Sequence, residues 1–514
     1  MLVEAAKLTA SDAAAQDRFG ISVGISRDYA AVASGWHSTN PNGAVYLFER
    51  NDSGHWMELQ KLTGSDQAPA DALRPLAISG RYVVVGATQD DDNGIDSGAA
   101  YVFERDRAGS WFERQKLTAS DGTAENYFGC AVSISGDRII VGALSNDAGM
   151  RSGAAYVFER EAAGDWFEHS KLTASDSVQH SYFASAASIS GDFALVAANV
   201  HNSDGTGGGR AYVFERDAGG QWTERQRLTA SDGYVLQQFG RSVGISGSYA
   251  VIGAANDHNG TKEGSAYVFE RSATGEWLEY AKLTAAGGGP NQKFGTAVAI
   301  SGARLAVGAP GDLVNFESIA ATYTYWRDPG GTWRETQELT ALDTLSMSWF
   351  GQSVSISGDR VLVGAPQDWD DVHGAHEIGS AFVFEEACLG LPDGSACDDG
   401  IYCNGIETCN GGKCGSSTGD PCPGPDEDDD CSESCDEAAR DCSAADHDGS
   451  SCPDGACHTG VCEPLGADGS ADDGGSSCTT PGRRPSPCAS ALAALGLGLT
   501  VIRRRRSSTR PPRR

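Results

Sequence analysis

The chain has 514 residues, 66 of them glycine, and a formal net charge of −31 at pH 7. Such a length is sufficient for a large globular domain with appendages. The acidic balance argues against nucleic acid or an anionic membrane surface as the partner, because both would repel the chain.

One sequence unit recurs seven times before residue 386. The tract that reads KLTASD in its first copy begins at Lys7 and returns in variants at intervals of 54, 55, 55, 56, 55 and 56 residues. Its later copies begin at Lys61, Lys116, Lys171, Arg227, Lys282 and Glu338. Within a unit, alternating apolar and polar residues, a short turn of the SGD kind and a β-branched run indicate four short antiparallel strands.

Four-stranded sheets of this size cannot bury both faces alone, so the units must stack. Radial stacking gives a β-propeller, whose blades usually have about 40 to 50 residues. A β-solenoid is the alternative, but its coils are shorter and lack hairpin turns. We therefore predict an all-β fold in which residues 1–386 form a seven-bladed β-propeller of four-stranded blades.

Two recurring features suit the core of such a propeller. A Trp opens the predicted fourth strand of six units, where its ring would fill the gap between neighbouring blades. A Phe-Gly pair opens the first strand of five units, where glycine permits close backbone approach near the axis. The Trp residues are Trp56, Trp111, Trp166, Trp222, Trp277 and Trp333, and the pairs begin at Phe19, Phe128, Phe239, Phe294 and Phe350.

The two ends of the repeat region complement each other. Residues 2–9 align with the fourth strand of a unit, whereas the seventh unit stops after its third strand at Phe384. We therefore predict that the N-terminal strand completes blade 7 and closes the ring. Leu2 stands where the other units have Trp. Because the chain opens with no export signal, we expect that signal to lie upstream of this start.

The Phe-Gly pairs and the Gly-Ala-Pro tripeptides that begin at Gly308 and Gly364 resemble the FG-GAP repeats of integrin α-chain-type propellers, in their bacterial variety. The resemblance covers residues 1–386. Unit two departs from it with Ala72-Leu73 in place of Phe-Gly and with Pro75 inside its first strand, which predicts an irregular blade. Integrin-type repeats also carry a DxDxDG calcium loop that this chain lacks, so calcium binding does not follow from the resemblance.

The long loops of such a propeller gather on one face, and that face carries many carboxylates. The connections between units contribute Asp12, Asp66, Asp121, Asp176, Asp232 and Asp343, and the loops between the second and third strands contribute Asp90, Asp91, Asp92, Asp96, Asp368, Asp370 and Asp371. Clustered carboxylates suit a hard cation such as calcium, although Asp is also common in turns and on soluble surfaces. The second set are the candidate ligand or cation residues; no cofactor is certain, and calcium is the one that they would suit.

The C-terminal quarter has a different composition. Twelve of the 15 cysteines lie between Cys388 and Cys462, which predicts a disulfide-bonded stalk over residues 387–463 and an oxidising compartment. A metal cluster is the alternative, but no CxxC pair occurs there. Residues 464–487 form a polar linker, and residues 488–514 combine an apolar stretch, predicted to be a short helix, with an arginine cluster.

The cysteine, apolar stretch and arginine cluster at the C-terminus resemble the MYXO-CTERM sorting signal. By that resemblance Cys478 is the processing residue, with Cys488 as the second choice, and Arg503, Arg504, Arg505 and Arg506 are the basic cluster. The resemblance implies an exported protein at the cell surface or outer membrane, or one that is secreted, with transient membrane association through this segment.

These features predict a non-catalytic cell-surface binding or adhesion protein. Its acidic loop face would bind a surface or matrix protein or a glycan, and we expect a monomer. No GxSxG elbow or zinc-protease motif occurs, so no catalytic residue is assigned. The alternatives are a polysaccharide lyase or hydrolase that works across the axial channel, and a purely structural envelope component.

Overall fold

The structure is a computed structural model. It describes residues 2–35, 43–51, 53–68, 71, 73–145, 152–161, 164–176, 181–199, 208–233, 237–256, 263–286, 291–311, 320–341, 348–368 and 378–386, together with the main chain of eight short strands in the C-terminal part.

The repeat region forms 28 strands in seven groups. β1 (Leu2–Leu8) precedes blade 1, which comprises β2 (Ser22–Ser26), β3 (Tyr29–Ser34), β4 (Ala44–Arg50) and β5 (Trp56–Leu62). Blade 2 comprises β6 (Leu73–Ser79), β7 (Tyr82–Ala87), β8 (Ala99–Arg105) and β9 (Trp111–Leu117). Blade 3 comprises β10 (Phe128–Ser135), β11 (Arg138–Ala143), β12 (Ala154–Arg160) and β13 (Trp166–Leu172). Blade 4 comprises β14 (Phe183–Ser190), β15 (Phe193–Ala198), β16 (Arg210–Arg216) and β17 (Trp222–Leu228).

Blade 5 comprises β18 (Phe239–Ser246), β19 (Tyr249–Ala254), β20 (Ser265–Arg271) and β21 (Trp277–Leu283). Blade 6 comprises β22 (Ala297–Ser301), β23 (Arg304–Ala309), β24 (Ala321–Arg327) and β25 (Trp333–Leu339). Blade 7 contains β26 (Ser353–Ser357), β27 (Arg360–Ala365) and β28 (Ser380–Glu386). Every blade is an antiparallel sheet in which consecutive strands pair, and blade 7 takes its fourth strand from β1.

The first strands line the axis and close a ring. Each first strand packs against the first strand of the next blade, and β26 packs against β2. The Phe of the Phe-Gly pair is fully buried, as at Phe128, and its N–H donates to a main-chain carbonyl of the preceding blade, here that of Ser97. A Cβ added at Gly86 would overlap the carbonyl oxygen of Gly129, so glycine is required where the two backbones meet. The predicted seven-bladed propeller is confirmed.

The tryptophans fill the seams, a term we use for the interfaces between neighbouring blades. Trp166 of blade 3 is 1% exposed and packs edge to face against Tyr82 of blade 2, with ring centroids 5.5 Å apart. Trp111 packs in the same way on Tyr29 of blade 1. Buried aromatic rings remove large apolar areas from water, so the predicted seam role of the tryptophans is confirmed.

A glutamine in the fourth strand binds the main chain of the next blade in four seams. In the seam between blades 2 and 3, Gln115 accepts a hydrogen bond from the Trp166 N–H and donates one to the Trp166 carbonyl, both at 2.8 Å. Gln60 and Gln226 bind Trp111 and Trp277 in the same way. The fourth is Gln337 of blade 6, which binds Leu2 of β1.

The predicted closure by the N-terminal strand is confirmed by the pairing of β1. It pairs antiparallel with β28, with Leu2 opposite Glu386 and Leu8 opposite Ala381. Leu2 is 8% exposed and belongs to the apolar core between blades 6 and 7. Phe19 also donates its N–H to the carbonyl of Ile378, which joins blade 1 to blade 7 at the axis.

The irregularity that Pro75 predicts for blade 2 is local, at the start of its first strand. It keeps four strands, and Pro75 lies in β6, which pairs only with β7. A first strand has one unpaired edge, so the missing proline N–H does not interrupt the ladder on both sides. The register shifts between Leu73 and Arg74, and the Arg74–Pro75 peptide bond is cis. The predicted irregularity is therefore present but local.

The C-terminal part contributes only short strands to the description. They are β29 (Ala396–Cys397), β30 (Glu407–Asn410), β31 (Lys413–Ser416), β32 (Ser434–Asp436), β33 (Asp441–Ala444), β34 (Ser451–Cys452), β35 (Gly455–His458) and β36 (Val461–Pro464). They pair into two three-stranded sheets and one hairpin. The predicted disulfides, linker and apolar helix lie outside the described residues. Among the described residues no helix is both long and apolar enough to cross a bilayer.

Candidate functional site

The two faces of the propeller are built differently. The turns between strands 1 and 2 and between strands 3 and 4 lie on one face, which we call the turn face. The loops between strands 2 and 3 and the connections between blades lie on the opposite face, the loop face. The turn face repeats closely, as in the SGD turns, whereas the loop face varies in length and sequence from blade to blade. Variable loops on a rigid scaffold are the usual place for binding.

The connection aspartates of blades 1 to 5 are bound in one repeated arrangement. In blade 3, Asp121 accepts a hydrogen bond from the Tyr156 hydroxyl at 2.8 Å and forms an ion pair with Lys171 at 2.5 Å. The equivalent groups are Asp12 with Tyr46 and Lys61, Asp66 with Tyr101 and Lys116, Asp176 with Tyr212 and Arg227, and Asp232 with Tyr267 and Lys282. Asp343 lies outside the described residues.

These contacts change the acidity of the groups. Burial acts to raise the pKa of Asp121, but hydrogen bonds from Lys171 and Tyr156 outweigh it and hold that pKa below its usual value. For Asp12 the Lys61 hydrogen bond is the largest cause of a lowered pKa. Burial raises the pKa of the Tyr46 hydroxyl to about 12. Each of these carboxylates therefore stays ionised with a cation beside it, which favours the structural interpretation of the repeated aspartates.

The serine of the repeated tract also has a structural role. Ser120 donates from its N–H and its hydroxyl to the two carboxylate oxygens of Glu168, both at 2.8 Å. Ser120 follows the last strand of blade 2, whereas Glu168 lies in the last strand of blade 3. The same contact links Ser11, Ser65, Ser175 and Ser231 to Glu58, Glu113, Glu224 and Glu279. The sequence showed that this tract repeats, but it did not show that the serine links the outer strands of neighbouring blades.

The candidate aspartates of blade 2 surround a lysine. Lys116 contacts Asp90 and Asp92 at 2.6 Å each and Asp66 at 2.9 Å. Burial acts to lower the pKa of the Lys116 ammonium, but the hydrogen bonds that it donates to these carboxylates outweigh burial and raise that pKa. Asp90 is 3% exposed. The structure therefore brings Asp90 and Asp92 together around the Lys116 ammonium group.

The other candidate aspartates are more scattered. Asp91 accepts a hydrogen bond from the Asp96 N–H at 2.7 Å, which shapes the loop itself. Asp368 is 2% exposed, accepts from the Ser380 hydroxyl at 2.7 Å and pairs with Lys7 at 2.9 Å. Asp370 and Asp371 lie outside the described residues. In the described part of the chain, no three His, Cys, Asp or Glu side chains are arranged to hold a metal ion.

A cavity of about 510 Å³ lies on the loop face, beside the first strands of blades 5, 6 and 7. We call it the axial mouth. It is lined by the residues that flank the Phe-Gly pairs, including Gln238, Arg241, Lys293, Trp349 and Gln352. The residue before each of these pairs has a positive φ, 57° at Trp349, which turns it out of the strand direction. Sequence reasoning missed this cavity because each lining residue varies between units.

The remaining predicted residues fall elsewhere. Cys478, Cys488 and the cluster of Arg503, Arg504, Arg505 and Arg506 lie outside the described residues. Cys130, which follows a Phe-Gly pair, is a free cysteine, and burial raises the pKa of its thiol to about 12. A thiol with that pKa is a weak nucleophile at neutral pH.

Comparison with known proteins agrees with the repeat count. The family model described as FG-GAP repeat matches seven segments: residues 2–48, 56–103, 111–158, 166–214, 222–269, 277–324 and 333–384. Each segment starts with the fourth strand of one blade and ends in the third strand of the next. No curated protein matches the chain. One crystal structure, of a protein from Lactobacillus plantarum, is 15% identical with a TM-score of 0.41, and the match covers 62% of this chain and 84% of that one.

Proposed function

Because the chain belongs to the FG-GAP repeat family, we propose that it is a non-catalytic binding protein of the cell exterior whose loop face engages a surface or matrix partner. The fold supports a binding or structural role, since seven rigid blades hold loops of differing sequence on one face. The axial mouth is the observation that favours a binding role over a purely structural one.

The chemistry of the axial mouth points to an anionic glycan. Its described lining includes an exposed guanidinium, that of Arg241, and the half-buried Lys293 and Trp349, and it includes no carboxylate. Cationic side chains make short hydrogen bonds to carboxylate groups, and an indole ring offers an apolar surface to a sugar ring. A glycan with carboxylate groups therefore fits this cavity better than a neutral one. The net charge of −31 opposes a polyanion at long range, so the attraction has to come from these local contacts, where salt screens the distant charges.

The acidic residues of the loop face fit this proposal as scaffold. In blades 1 to 5 the connection aspartates hold a tyrosine and a cation of the same blade, so they fix the loop bases rather than offering free charge. Of the exposed acidic residues, Asp92 pairs with Lys116, and no three carboxylates of the described residues are arranged to hold a metal ion, so calcium binding stays a prediction. Calcium dependence is therefore one arm of the binding experiment.

The exterior location is also a proposal. It rests on the twelve cysteines between Cys388 and Cys462, since disulfide frameworks belong to oxidising compartments, and on the resemblance of the C-terminus to a sorting signal. Mass determination of the mature protein from its native cells would show whether the chain ends near Cys478.

The test is binding of the full chain to defined hyaluronan oligosaccharides, which carry uronate carboxylates, and to neutral malto-oligosaccharides, with and without calcium. We expect saturable binding to the acidic oligosaccharide only. Changing Arg241 and Lys293 together to Gln should weaken it at least tenfold, because two charge-assisted contacts are lost. Arg107→Gln is the matched control, since Arg107 is exposed in a turn on the opposite face.

Each other outcome has a meaning. Chain cleavage of the oligosaccharide, detected as new reducing ends, would favour the enzyme alternative. Equal binding by the double variant would place the site elsewhere. No saturable binding to any acidic glycan would contradict the proposal and favour a purely structural protein.

A further inference from the structure

The seam between blades 6 and 7 differs from the other six at four repeated positions. Leu2 replaces the seam Trp, and Trp326 replaces the glutamate that is the second-to-last residue of the third strand in every other blade. Glu386 replaces the arginine of the following position, and Thr324 replaces an apolar residue in the middle of the third strand. At the first three positions the other six blades share one residue, and at the fourth they have Val or Leu.

All four departures line one cavity. It has a volume of about 550 Å³ and lies on the turn face, and we call it the seam cavity. Leu2, Leu305 and Val361 are buried and contribute apolar atoms, and Trp326 is 43% exposed at its edge. The volume lies in the range of small-ligand sites, about 300 to 1,000 Å³. Four departures that converge on one cavity distinguish it from a random fault in packing.

The ion pairs beside the seam cavity also differ from those of the other seams. In five other seams an arginine at the end of a third strand pairs with the glutamate of the preceding blade, as Arg216 does with Glu159 at 2.7 Å. Between blades 6 and 7 that pair is absent because its positions are Glu386 and Trp326. Arg304 of blade 6 instead pairs with Asp359 at 2.5 Å and Glu386 at 2.8 Å, both of blade 7.

The neighbouring seam shows what such a site accepts. Between blades 7 and 1, Arg360 occupies the position of Arg304 and contacts Glu385 at 3.4 Å. There the Trp56 indole N–H donates to the same carboxylate at 2.9 Å. In one seam of this protein, therefore, an indole ring binds to a carboxylate that also contacts an arginine. The seam cavity has the arginine and two carboxylates but a leucine in place of the tryptophan.

We propose that the seam cavity is a binding site for the tryptophan side chain of a partner protein. The indole would lie against Leu2 and Trp326 and would donate its N–H to Glu386 or Asp359. The site lies on the face opposite the axial mouth, so this inference goes beyond the proposed function and is independent of it. Exposed aromatic side chains that enter a preformed apolar cavity are typical anchors of protein interfaces.

The test uses N-acetyltryptophanamide as the probe and the full chain as the receptor, with calorimetry or saturation-transfer NMR as the readout. We expect a dissociation constant on the order of 1 mM, as for a small fragment in one cavity. Leu2→Trp restores the repeated residue and should weaken binding at least tenfold, because its own ring would fill the cavity. The same variant should keep or raise the melting temperature.

Three further measurements distinguish binding in the seam cavity from nonspecific binding of the probe. Trp326→Glu, which also restores the repeated residue, should weaken binding at least fivefold, whereas Arg107→Gln on an exposed turn should leave it unchanged. The N1-methylated probe should bind several-fold more weakly because it lacks the indole donor. Equal affinity of the wild type and Leu2→Trp, or preferential binding of a neutral sugar that competes with the probe, would overturn the proposal. Hyaluronan binding by Leu2→Trp should be unchanged, which keeps this result distinct from that of the loop-face test.

Discussion

The contact of Gln337 with the N-terminal strand gives a direct test of ring closure. Its carboxamide accepts from the Leu2 N–H at 2.8 Å and donates to the Leu2 carbonyl at 2.7 Å. A half-buried hydrogen bond contributes about 1 kcal/mol net, so Gln337→Ala should cost about 2 kcal/mol. Gln115→Ala is the matched control, because its two bonds to Trp166 have the same geometry, both at 2.8 Å.

The two variants should differ in which part of the protein this loss of stability affects. β13, which contains Trp166, is joined to β12 by a short turn, so loosening it requires more of blade 3 to open. β1 pairs with β28 without a hairpin turn, so it can separate alone. We therefore expect hydrogen exchange of the β1 amides to become about 30-fold faster in Gln337→Ala, the equivalent of about 2 kcal/mol.

The assay is native-state hydrogen exchange followed by mass spectrometry, with urea unfolding as the global measurement. In Gln115→Ala, exchange in β1 should match the wild type, while the free energy of unfolding falls by about 2 kcal/mol. If exchange of β1 in Gln337→Ala stayed within about threefold of the wild type, Gln337 would not be holding the closing strand, and our reasoning about closure would be wrong.

Two further predictions concern the seams and the repeated ion pairs. Trp166→Ala should lower the free energy of unfolding by about 3 to 5 kcal/mol because it removes a fully buried ring. Phe167→Ala, at a side chain that is 50% exposed, should change it by at most about 0.5 kcal/mol. Similar urea midpoints for the two variants would contradict the seam role. For Asp121, the folded-state pKa lies below the unfolded-state value, so its stabilising effect is complete above about pH 4 and is lost as the pH falls through the folded-state pKa. By urea unfolding, Lys171→Met should therefore be less stable than the wild type at pH 7, and the difference in free energy of unfolding should shrink at pH 3. The same difference at both pH values would show that the Lys171 ion pair is not the source of the stability.

The repeat pattern was sufficient to predict the propeller. Strand periodicity, turn residues and a Trp or Phe-Gly pair at fixed positions all recur with one period, and only stacking can bury both faces of such units. The offset between sequence repeat and blade also follows from the sequence, because the chain starts with a fourth strand and the seventh unit ends with a third strand. The extent of the irregularity at Pro75 did not follow from the sequence, because it depends on which edge of β6 is paired.

The candidate site could be predicted only in part. Acidic loops were identified, but the partners of the aspartates were not, since Asp121 and Lys171 are 50 residues apart and meet only when the connection folds over the blade. The axial mouth had no sequence signal because its residues come from three units and differ in each. The departures at Leu2, Trp326 and Glu386 were visible individually in the alignment of units, but nothing in the sequence indicated that they share one cavity.

The amino-acid sequence by itself therefore determined the number of blades, the order of their strands and the closure by β1, because these depend on local periodicity and on contacts that every unit repeats. Only the tertiary structure decided which charges are compensated and where cavities open. Those properties depend on distances between residues of different blades, such as Arg304 and Glu386, which are 82 residues apart in the chain and 2.8 Å apart in the fold.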